Sequence, residues 1–454
     1  MKIKDKNILV VGMAISGAST VNVLLQLGCN VTVHDAKKEE ELQDVLNYID
    51  RDRVQFILGQ LPENVMKFDL IVLSPGVPTD LPFLLEAREA GVAIIGELEL
   101  AYQLSKATFI AITGTNGKTT TTALTGEIYK NAAREAYVVG NIGVAAISKS
   151  LEVGPKAVMI TEVSSFQLES VAAFKPHIAA ILNITPDHLN RHKTMENYIA
   201  AKGNIFKNQT SDDILILNMD DEEVFKLKEW ASSEIVPFSR KHILKKGAYV
   251  ENGNIVVKKE DTHGQIVCST KDLKIPGEHN LENALAAVAI AYWGGIEVKT
   301  IKETLKSFMG VEHRIEFVDE YKGVRFINDS KGTNPDSSIK AIETVKAPII
   351  LIAGGMDKGG SFEGFITSFH NKVKYLVLIG ETANKMKETA NRMGFENCIL
   401  AKDMEDAVKA AYNLAEEGDT ILLSPACASW DMYKSFEHRG AHFKECIGRL
   451  RRPL

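Results

Sequence analysis

The chain has few of the residues that build disulfide frameworks and zinc sites. Its 454 residues include five cysteines, which are odd in number, widely scattered and never arranged as Cys-X-X-Cys. No apolar run approaches the ~18 residues of a membrane span. The short apolar run before Gly12 is typical of a first β-strand, because a signal peptide needs a longer one. We therefore expect a cytoplasmic protein without disulfides, structural zinc or membrane insertion.

An excess of positive charge is also lacking. The formal net charge of −6 argues against a general binder of polyanions, so no nucleic-acid partner is expected. A nucleotide would have to be held by local loops and a few placed cations. Low-complexity segments are absent, and 45 % hydrophobic with 25 % charged residues is the composition of a globular enzyme.

Three blocks of strand-like runs alternate with helical patterns, which predicts an α/β fold of three domains. The expected domains are a Rossmann-like one at 1–97, a central P-loop ATPase-type one with a mostly parallel sheet at 98–310, and a Rossmann-like one at 311–454. The strand-like runs are Ile8–Val11, Val31–Val33, Leu70–Leu73, Phe109–Thr113, Val158–Glu162, Ile178–Asn183, Ile214–Asn218, Val324–Asn328, Ile349–Ala353, Leu376–Ile379 and Ile421–Leu423. Ligands of parallel sheets bind at the carboxyl ends of the strands.

The most specific motif is a phosphate loop between a strand and a helical run. Backbone N–H groups of such a loop wrap phosphate oxygens, Lys118 supplies charge to the terminal phosphates, and Thr119 can reach Mg²⁺. Ile112 stands where the common P-loop has its first glycine. The alternative is a plain glycine turn at a helix start. The expected ATP-binding residues here are Gly114, Thr115, Asn116, Gly117, Lys118, Thr119 and Thr120.

The shortened loop resembles that of the Mur ligase family, whose members form amide bonds through an acyl phosphate. The resemblance implies ATP, Mg²⁺ at two sites, and metal ligation by Thr119, Glu162, His188 and a carbamylated Lys202. Glu162 ends a strand, and carboxylate oxygens are ligands that Mg²⁺ prefers. Taken alone, Glu162 and His188 could each be structural residues.

The resemblance also assigns residues to the rest of ATP. Asn280 and Asn283 would lie near the adenine, Arg314 would contact the γ-phosphate, and Asp329 would hold the ribose. The alternatives are that Asn280 caps a helix and that Arg314 is a surface charge at a hinge.

The first block carries a second glycine turn, residues 12–17, after its first strand. It fails the dinucleotide pattern because Ala14 replaces the second glycine, yet its helix start could hold a pyrophosphate. Asp35 follows about 20 residues on, where a dinucleotide fold places a ribose or base contact. The resemblance places Ser16, Asp35, Gly76 and Asn141 at the UDP-linked substrate.

Two segments of the third block, residues 328–335 and 424–431, resemble the D-glutamate-adding members of the family. By that resemblance the two carboxylates of D-glutamate would be held by Lys331, Thr333, Lys358, Ser429 and Phe436. The chain departs from the usual pattern at Gly332, where alanine is usual, and at Trp430, where phenylalanine is frequent.

The resemblance as a whole implies an ATP-dependent ligase that adds D-glutamate to UDP-N-acetylmuramoyl-L-alanine, a monomer serving peptidoglycan synthesis and hence cell shape and division. Its catalytic residues would be Lys118, Glu162, His188, Lys202 and Arg314, and His188 is one candidate for taking the amine proton. The alternatives are a sibling ligase for another amino acid such as L-alanine, a nicotinamide dehydrogenase built on the first block, and a regulatory nucleotide-binding module without turnover.

Overall fold

The computed structural model of the protein describes residues 3–141, 144–260, 262–357 and 361–450. Contacts divide the chain into two compact units: Met1–Lys274 with Glu278–Phe308, and Ile275–Gly277 with Met309–Leu454. None of the helices in the described ranges has the length and apolar character needed to cross a membrane.

The first unit opens with a five-stranded parallel sheet in the order β3-β2-β1-β4-β5. Its strands are runs of valine, isoleucine and leucine because helices cover much of both faces. The elements are β1 Asn7–Val11, α1 Ile15–Gln26, β2 Asn30–Asp35, α2 Gln43–Leu46, β3 Val54–Leu58, β4 Leu70–Leu73, α3 Pro82–Glu89, β5 Ala93–Gly96 and α4 Glu97–Leu104.

The same unit contains a nine-stranded sheet in the order β14-β13-β12-β11-β10-β9-β6-β8-β7. It is parallel from β7 to β12, and β12, β13 and β14 pair antiparallel. The elements are β6 Thr108–Thr113, α5 Lys118–Asn131, β7 Ala136–Gly140, α6 Ala146–Lys149, β8 Val158–Glu162, α7 Ser165–Leu168, β9 Ile178–Ile181, α8 Leu189–His192, α9 Met195–Gly203, β10 Ile214–Asn218, α10 Glu222–Lys226, β11 Glu234–Ser239, β12 Gly247–Glu251, β13 Asn254–Lys258, β14 Gln265–Ser269, α11 Glu278–Trp293 and α12 Val298–Ser307.

The second unit is built on a six-stranded sheet in the order β15-β16-β20-β17-β18-β19, parallel except for the edge pair β15 and β16. Its elements are β15 Glu316–Tyr321, β16 Val324–Asn328, α13 Pro335–Thr344, β17 Ile349–Ala353, α14 Glu363–Thr367, β18 Val373–Leu378, α15 Ala383–Arg392, β19 Cys398–Leu400, α16 Met404–Leu414, β20 Thr420–Leu423 and α17 Phe436–Leu450.

The predicted α/β class with three mostly parallel sheets is confirmed, whereas the limits 1–97, 98–310 and 311–454 stay predictions. Six of the eleven predicted strands differ in their limits: β1, β2, β6 and β20 extend beyond the apolar run, β9 is shorter and β18 is displaced. Strand β9 ends at Ile181 and not at Asn183, because the side chain of Asn183 bonds to a neighbouring loop. Strand β18 covers Val373–Leu378, whereas the apolar run alone indicated Leu376–Ile379.

A buried carboxylate joins the two sheets of the first unit. Glu99 of α4 is fully buried, and its oxygens accept hydrogen bonds from the backbone N–H groups of Ala172, Ala173 and Phe174 at 2.8, 2.9 and 2.9 Å. Three bonds to charged oxygens compensate for the desolvation of the carboxylate. The residue therefore fixes the segment that leads into β9.

We expect Glu99→Ala to lower the free energy of unfolding of this unit by ~3 kcal/mol, since three backbone N–H groups lose a buried acceptor. Urea unfolding followed by circular dichroism measures the change. The matched control is Glu89→Ala, which removes an exposed carboxylate. An equal, small effect of both substitutions would contradict the assignment.

Candidate functional site

The phosphate loop follows β6, the strand between β8 and β9, and leads into α5. Gly117 precedes the helix with a φ of 84°, in the left-handed region that favours glycine. A Cβ atom at this position would lie 2.1 Å from Oδ1 of Asn283. Glycine is therefore required both by the turn and by the close approach of α11.

The Lys118 ammonium lies across the loop that precedes it. Its Nζ donates to the carbonyl oxygens of Gly114 and Thr115 at 2.8 and 2.9 Å. Thr119 and Thr120, in the first turn of α5, are buried beneath the loop. The expected phosphate-binding residues thus form one continuous cradle.

Asn183 fastens this cradle to the neighbouring strand, a role that sequence reasoning missed. Its Oδ1 accepts the N–H of Asn116 at 2.8 Å, and its Nδ2 donates to the carbonyl of Asn116 at 3.1 Å. Its own carbonyl accepts the N–H of Thr115 at 2.9 Å. The available signal was a polar residue just beyond a fully buried strand.

Glu162 ends β8, and its Cα is in register with that of Ile112 on β6. Its Oε1 accepts a hydrogen bond from Nδ2 of Asn141 at 2.9 Å. Its Oε2 is buried and has no hydrogen-bond partner among the described residues. A buried carboxylate oxygen without a partner is costly, and a bound cation would relieve that cost. The structure thus joins Asn141 and Glu162, which the sequence had assigned to different ligands.

Lys202 of α9 is 1 % exposed, and its Nζ lies 4.6 Å from the centroid of the Tyr198 ring. Burial lowers the pKa of its ammonium well below the usual value, and the charge of Lys118 lowers it further, while Asp187 opposes both. The physical consequence is an amine that can lose its proton inside the folded protein.

His188 and His192 differ sharply in environment. The side chain of His188 is 48 % exposed, has a backbone φ of 52° and lies against Phe166, with ring centroids 4.8 Å apart. His192 is buried, its Nε2 lies 2.9 Å from Oγ of Ser165, and burial lowers its pKa. The structural role thus belongs to His192, and His188 is the histidine accessible to a ligand.

Asn280 and Asn283 are buried in the first two turns of α11, and Nδ2 of Asn283 donates to Oδ1 of Asn280 at 3.2 Å. The helix begins at Glu278, so Asn280 lies inside the first turn and not at the N-cap position. The contact of Asn283 with Gly117 places the pair beside the phosphate loop.

The glycine turn of the first sheet is held by Asp35, which accepts the N–H groups of Met13 and Lys37 at 2.7 and 2.9 Å. Oγ of Ser74 donates to the carbonyl of Gly12 at 2.8 Å and joins the turn to the loop after β4. Ser16 lies half-buried in the first turn of α1.

Gly76 is exposed in the loop after β4, and Arg191 of α8 reaches that loop. Nη2 of Arg191 donates to the carbonyl of Val77 at 2.9 Å and to Glu169 at 2.6 Å. Arg191 therefore connects the expected UDP loop with the helix that follows His188, and sequence reasoning assigned it no such role.

In the second unit Asp329 is buried at the end of β16. Its Oδ2 accepts the hydroxyl of Ser424 at 2.6 Å, and its Oδ1 accepts the N–H of Ile315 at 3.2 Å. Burial raises the pKa of the carboxyl to about 6, against the lowering effects of Ser424 and of Arg314. Arg314 is flanked by His313 and Ile315, whose φ angles are 64° and 46°.

Arg439 of α17 is the buried cation that joins the two loops of this unit. Its guanidinium donates to Oγ and the carbonyl of Ser330 at 3.0 and 2.8 Å, and to the carbonyls of Cys427 and Ala428 at 3.1 and 3.2 Å. Burial lowers its pKa to about 10. Sequence reasoning missed it, because a single arginine in a polar helix carries no distinctive signal.

The residues expected around D-glutamate lie on these two loops. Nζ of Lys331 lies 5.2 Å from the ring centroid of Phe436, the first residue of α17. The N–H of Thr333 donates to the carbonyl of Lys331 at 2.8 Å, and Ser429 is buried. Lys358 lies outside the described residues.

Family comparisons cover most of the chain. Residues 6–96 match the Mur ligase MurD-like N-terminal domain, residues 112–291 the Mur ligase middle domain, and residues 313–427 the Mur ligase glutamate ligase domain. Two curated relatives carry the name UDP-N-acetylmuramoylalanine–D-glutamate ligase. That of Alkaliphilus oremlandii is 54 % identical over 100 % of both chains, and that of Clostridioides difficile is 50 % identical over 99 % of this chain and 100 % of its own.

Solved structures share the fold at low identity. The UDP-N-acetylmuramate-alanine ligase MurC of Thermotoga maritima has a TM-score of 0.61 at 20 % identity, covering 98 % of this chain and 100 % of its own. MurF ligase of the same organism, solved in complex with ADP, has a TM-score of 0.59 at 16 % identity, covering 99 % and 96 %. At such identities the likeness concerns the fold alone.

Proposed function

The chain belongs to the Mur ligase family, and we propose on that premise how it works as an ATP-dependent ligase adding D-glutamate to UDP-N-acetylmuramoyl-L-alanine. The reaction makes a precursor of peptidoglycan. The observation that carries the site assignment is the buried Oε2 of Glu162, which has no hydrogen-bond partner among the described residues and lies on the strand next to the one that bears the phosphate loop.

We assign ATP to the phosphate cradle of residues 114–120. The backbone N–H groups and Lys118 would hold its phosphates, and the amides of Asn280 and Asn283 would meet the adenine edge. Arg314 would contact the γ-phosphate and Asp329 the ribose. A ribose hydroxyl donates well to a carboxylate, and Asp329 is positioned by Ser424 and Ile315 to receive it.

The donor set around Glu162 fits Mg²⁺, which takes hard oxygen ligands. We propose two sites held by Thr119, Glu162, His188 and Lys202, with Lys202 carbamylated. A plain ammonium offers no lone pair, whereas the neutral amine favoured by burial can add CO₂ and become an anionic oxygen ligand. Bound Mg²⁺ would neutralise charge on the transferring phosphoryl group.

We assign the UDP-linked substrate to Ser16, Asp35, Gly76 and Asn141. The glycine turn at the start of α1 presents free N–H groups of a helix terminus toward a pyrophosphate. Asn141 donates to Glu162, so a substrate bound by Asn141 would lie close to Glu162 and the phosphate loop.

We assign the carboxylates of D-glutamate to Lys331, Thr333, Lys358, Ser429 and Phe436. Lysine and hydroxyl donors are suited to a carboxylate, and the Phe436 ring positions the Lys331 ammonium.

In the proposed reaction the L-alanyl carboxylate attacks the γ-phosphorus of ATP, and ADP leaves. Lys118 and Arg314 stabilise the charge that develops. The amine of D-glutamate then attacks the acyl phosphate, phosphate leaves, and the amine releases a proton, for which His188 is one candidate acceptor. Its half-exposed ring and nearby Asp187, 3.4 Å away, suit that task.

We further propose that the enzyme is a cytoplasmic monomer.

The test of the function is ADP release with UDP-N-acetylmuramoyl-L-alanine and a panel of amino acids. We expect turnover with D-glutamate and none with L-alanine or L-lysine. Lys118→Ala should abolish release, because the terminal phosphates lose their cation, whereas the exposed Lys130→Ala should not. Preference for another amino acid would identify a sibling activity and overturn the assignment.

Ser429→Ala should raise the KM for D-glutamate about tenfold or more and leave the KM for ATP unchanged. A buried carboxylate would lose one donor, worth ~1–3 kcal/mol. Steady-state kinetics measure both constants. The control is Ser368→Ala, which removes a hydroxyl that donates to the carbonyl of Phe365 in its own helix. Equal changes for both substrates would argue for a structural role.

Lys202 carbamylation predicts a carbon NMR resonance in protein equilibrated with labelled bicarbonate, absent from Lys202→Ala and present in the exposed control Lys226→Ala. Lys202→Ala should lose activity, and short carboxylates that refill the missing oxygen ligand should restore part of it. A spectrum without a Lys202-dependent resonance would refute the modification.

A further inference from the structure

Ser338 lies in α13, outside every assigned substrate contact, and its side chain is fully buried. Its Oγ is 2.8 Å from Oγ of Ser424, 2.9 Å from the N–H of Ala426 and 3.3 Å from the carbonyl oxygen of Gly332. One hydroxyl thus contacts both loops of the second unit that carry expected ligand residues.

The hydroxyl groups form a continuous line of hydrogen-bond contacts. The Ser424 hydroxyl donates to Oδ2 of Asp329 at 2.6 Å and lies 2.8 Å from Oγ of Ser338. Ser338 accepts the N–H of Ala426 and donates to the carbonyl of Gly332. The result is a chain of contacts from Ala426 through Ser338 and Ser424 to Asp329, which holds the Ser424 hydroxyl in place beside the carboxylate.

We propose that Ser338 is a positioning residue. Through this hydroxyl chain it joins Asp329, the proposed ligand of the ATP ribose, to the loops proposed to bind D-glutamate. The inference rests on the proposed function for the identity of the two ligands. It concerns a residue that touches neither of them.

Ala426 supplies independent support. Its φ of 57° lies in the left-handed region, which alanine rarely adopts. The bond from its N–H to Ser338 is one of the contacts that hold it there. Ser429 follows three residues later, so a change at Ser338 reaches the amino-acid loop as well as Asp329.

Gly332 shows how closely the atoms of this hydroxyl chain are packed. A Cβ atom at this position would lie 2.6 Å from Oδ2 of Asp329, 2.8 Å from Oγ of Ser338 and 2.9 Å from Oγ of Ser424. Its φ lies outside the left-handed region, so the contacts are the obstacle and not the backbone. Gly332 stands where the family usually has alanine. Its lack of a side chain thus leaves room for the three polar atoms to come together.

The charge on Asp329 gives the chain a measurable signature. The groups acting on this carboxyl are Ser424, the N–H of Ile315, and the cations Arg314 and Arg439, all of which lower its pKa against burial. Ser338 holds the Ser424 hydroxyl in place beside Asp329, so its removal weakens the Ser424 bond and raises the pKa of Asp329. The acidic limb of kcat/KM for ATP should therefore move to higher pH.

The experiment compares Ser338→Ala with wild type in the complete enzyme. We expect KM for ATP and KM for D-glutamate to rise about tenfold, KM for UDP-N-acetylmuramoyl-L-alanine to stay within twofold, and the acidic limb to move upward. Ser368→Ala is the matched serine control. Unchanged KM values and an unmoved limb in folded Ser338→Ala would overturn the proposal.

Gly332→Ala provides a second route that keeps every hydroxyl. We expect the same pattern of KM and pH effects, with Gly364→Ala as the matched control, since a Cβ there meets nothing within 4 Å. In the Ser338→Ala background the effect of Gly332→Ala should shrink, because one of its three close contacts is gone. Strictly additive effects would contradict a shared chain, and so would a Gly332→Ala enzyme with wild-type kinetics.

These outcomes separate the two proposals. A wild-type enzyme that releases no ADP with D-glutamate refutes the proposed function. An active wild type whose Ser338→Ala and Gly332→Ala variants keep wild-type KM values and pH profile refutes only the role of Ser338. If Ser338→Ala does not fold, Gly332→Ala decides by the same measurements.

Discussion

The paired hydrogen bonds between Asn183 and Asn116 are the constraint on which the first unit's chemistry depends. The side-chain amide of Asn183 pairs with the backbone of Asn116 as a neighbouring strand would, at 2.8 and 3.1 Å. A loop rich in glycine is otherwise free to change shape. The pairing holds the N–H groups of the cradle in position, so the proposed binding of ATP requires no further ordering of the loop.

The two charged groups beside this cradle are each in a state that folding alone does not favour. Among the described residues Glu162 keeps one oxygen without a hydrogen-bond partner, and burial together with the charge of Lys118 disfavours the ammonium form of Lys202. Opposite groups that satisfied each other would make a stable core and no binding site. Leaving these groups unsatisfied lowers the free energy of unfolding, which is the expected consequence of the proposed ligand site. The many apolar strands around the site offset that loss of stability.

The sequence predicted those parts of the molecule that depend on local patterns. Buried strands such as Leu70–Leu73 and Val158–Glu162 have the predicted limits, because their apolar runs end in turn residues. The glycine and lysine positions of the cradle followed from strand, loop and helix in order. Arg439, Ser338 and Asn183 were not predicted as site residues, because each acts through contacts between segments up to 109 positions apart in sequence. An arginine, a serine and an asparagine have no periodicity that reveals such partners.

The contact between Gly117 and Asn283 ties together two places that are far apart in the chain. The space that a side chain at 117 would need is filled by the Asn283 amide, 2.1 Å from where the Cβ would be. A larger residue at 117 is therefore accessible only after 283 has become smaller, and that earlier change removes an expected adenine contact. A single substitution at position 117 is therefore blocked, so an evolutionary change in nucleotide preference has to begin at another position of the site.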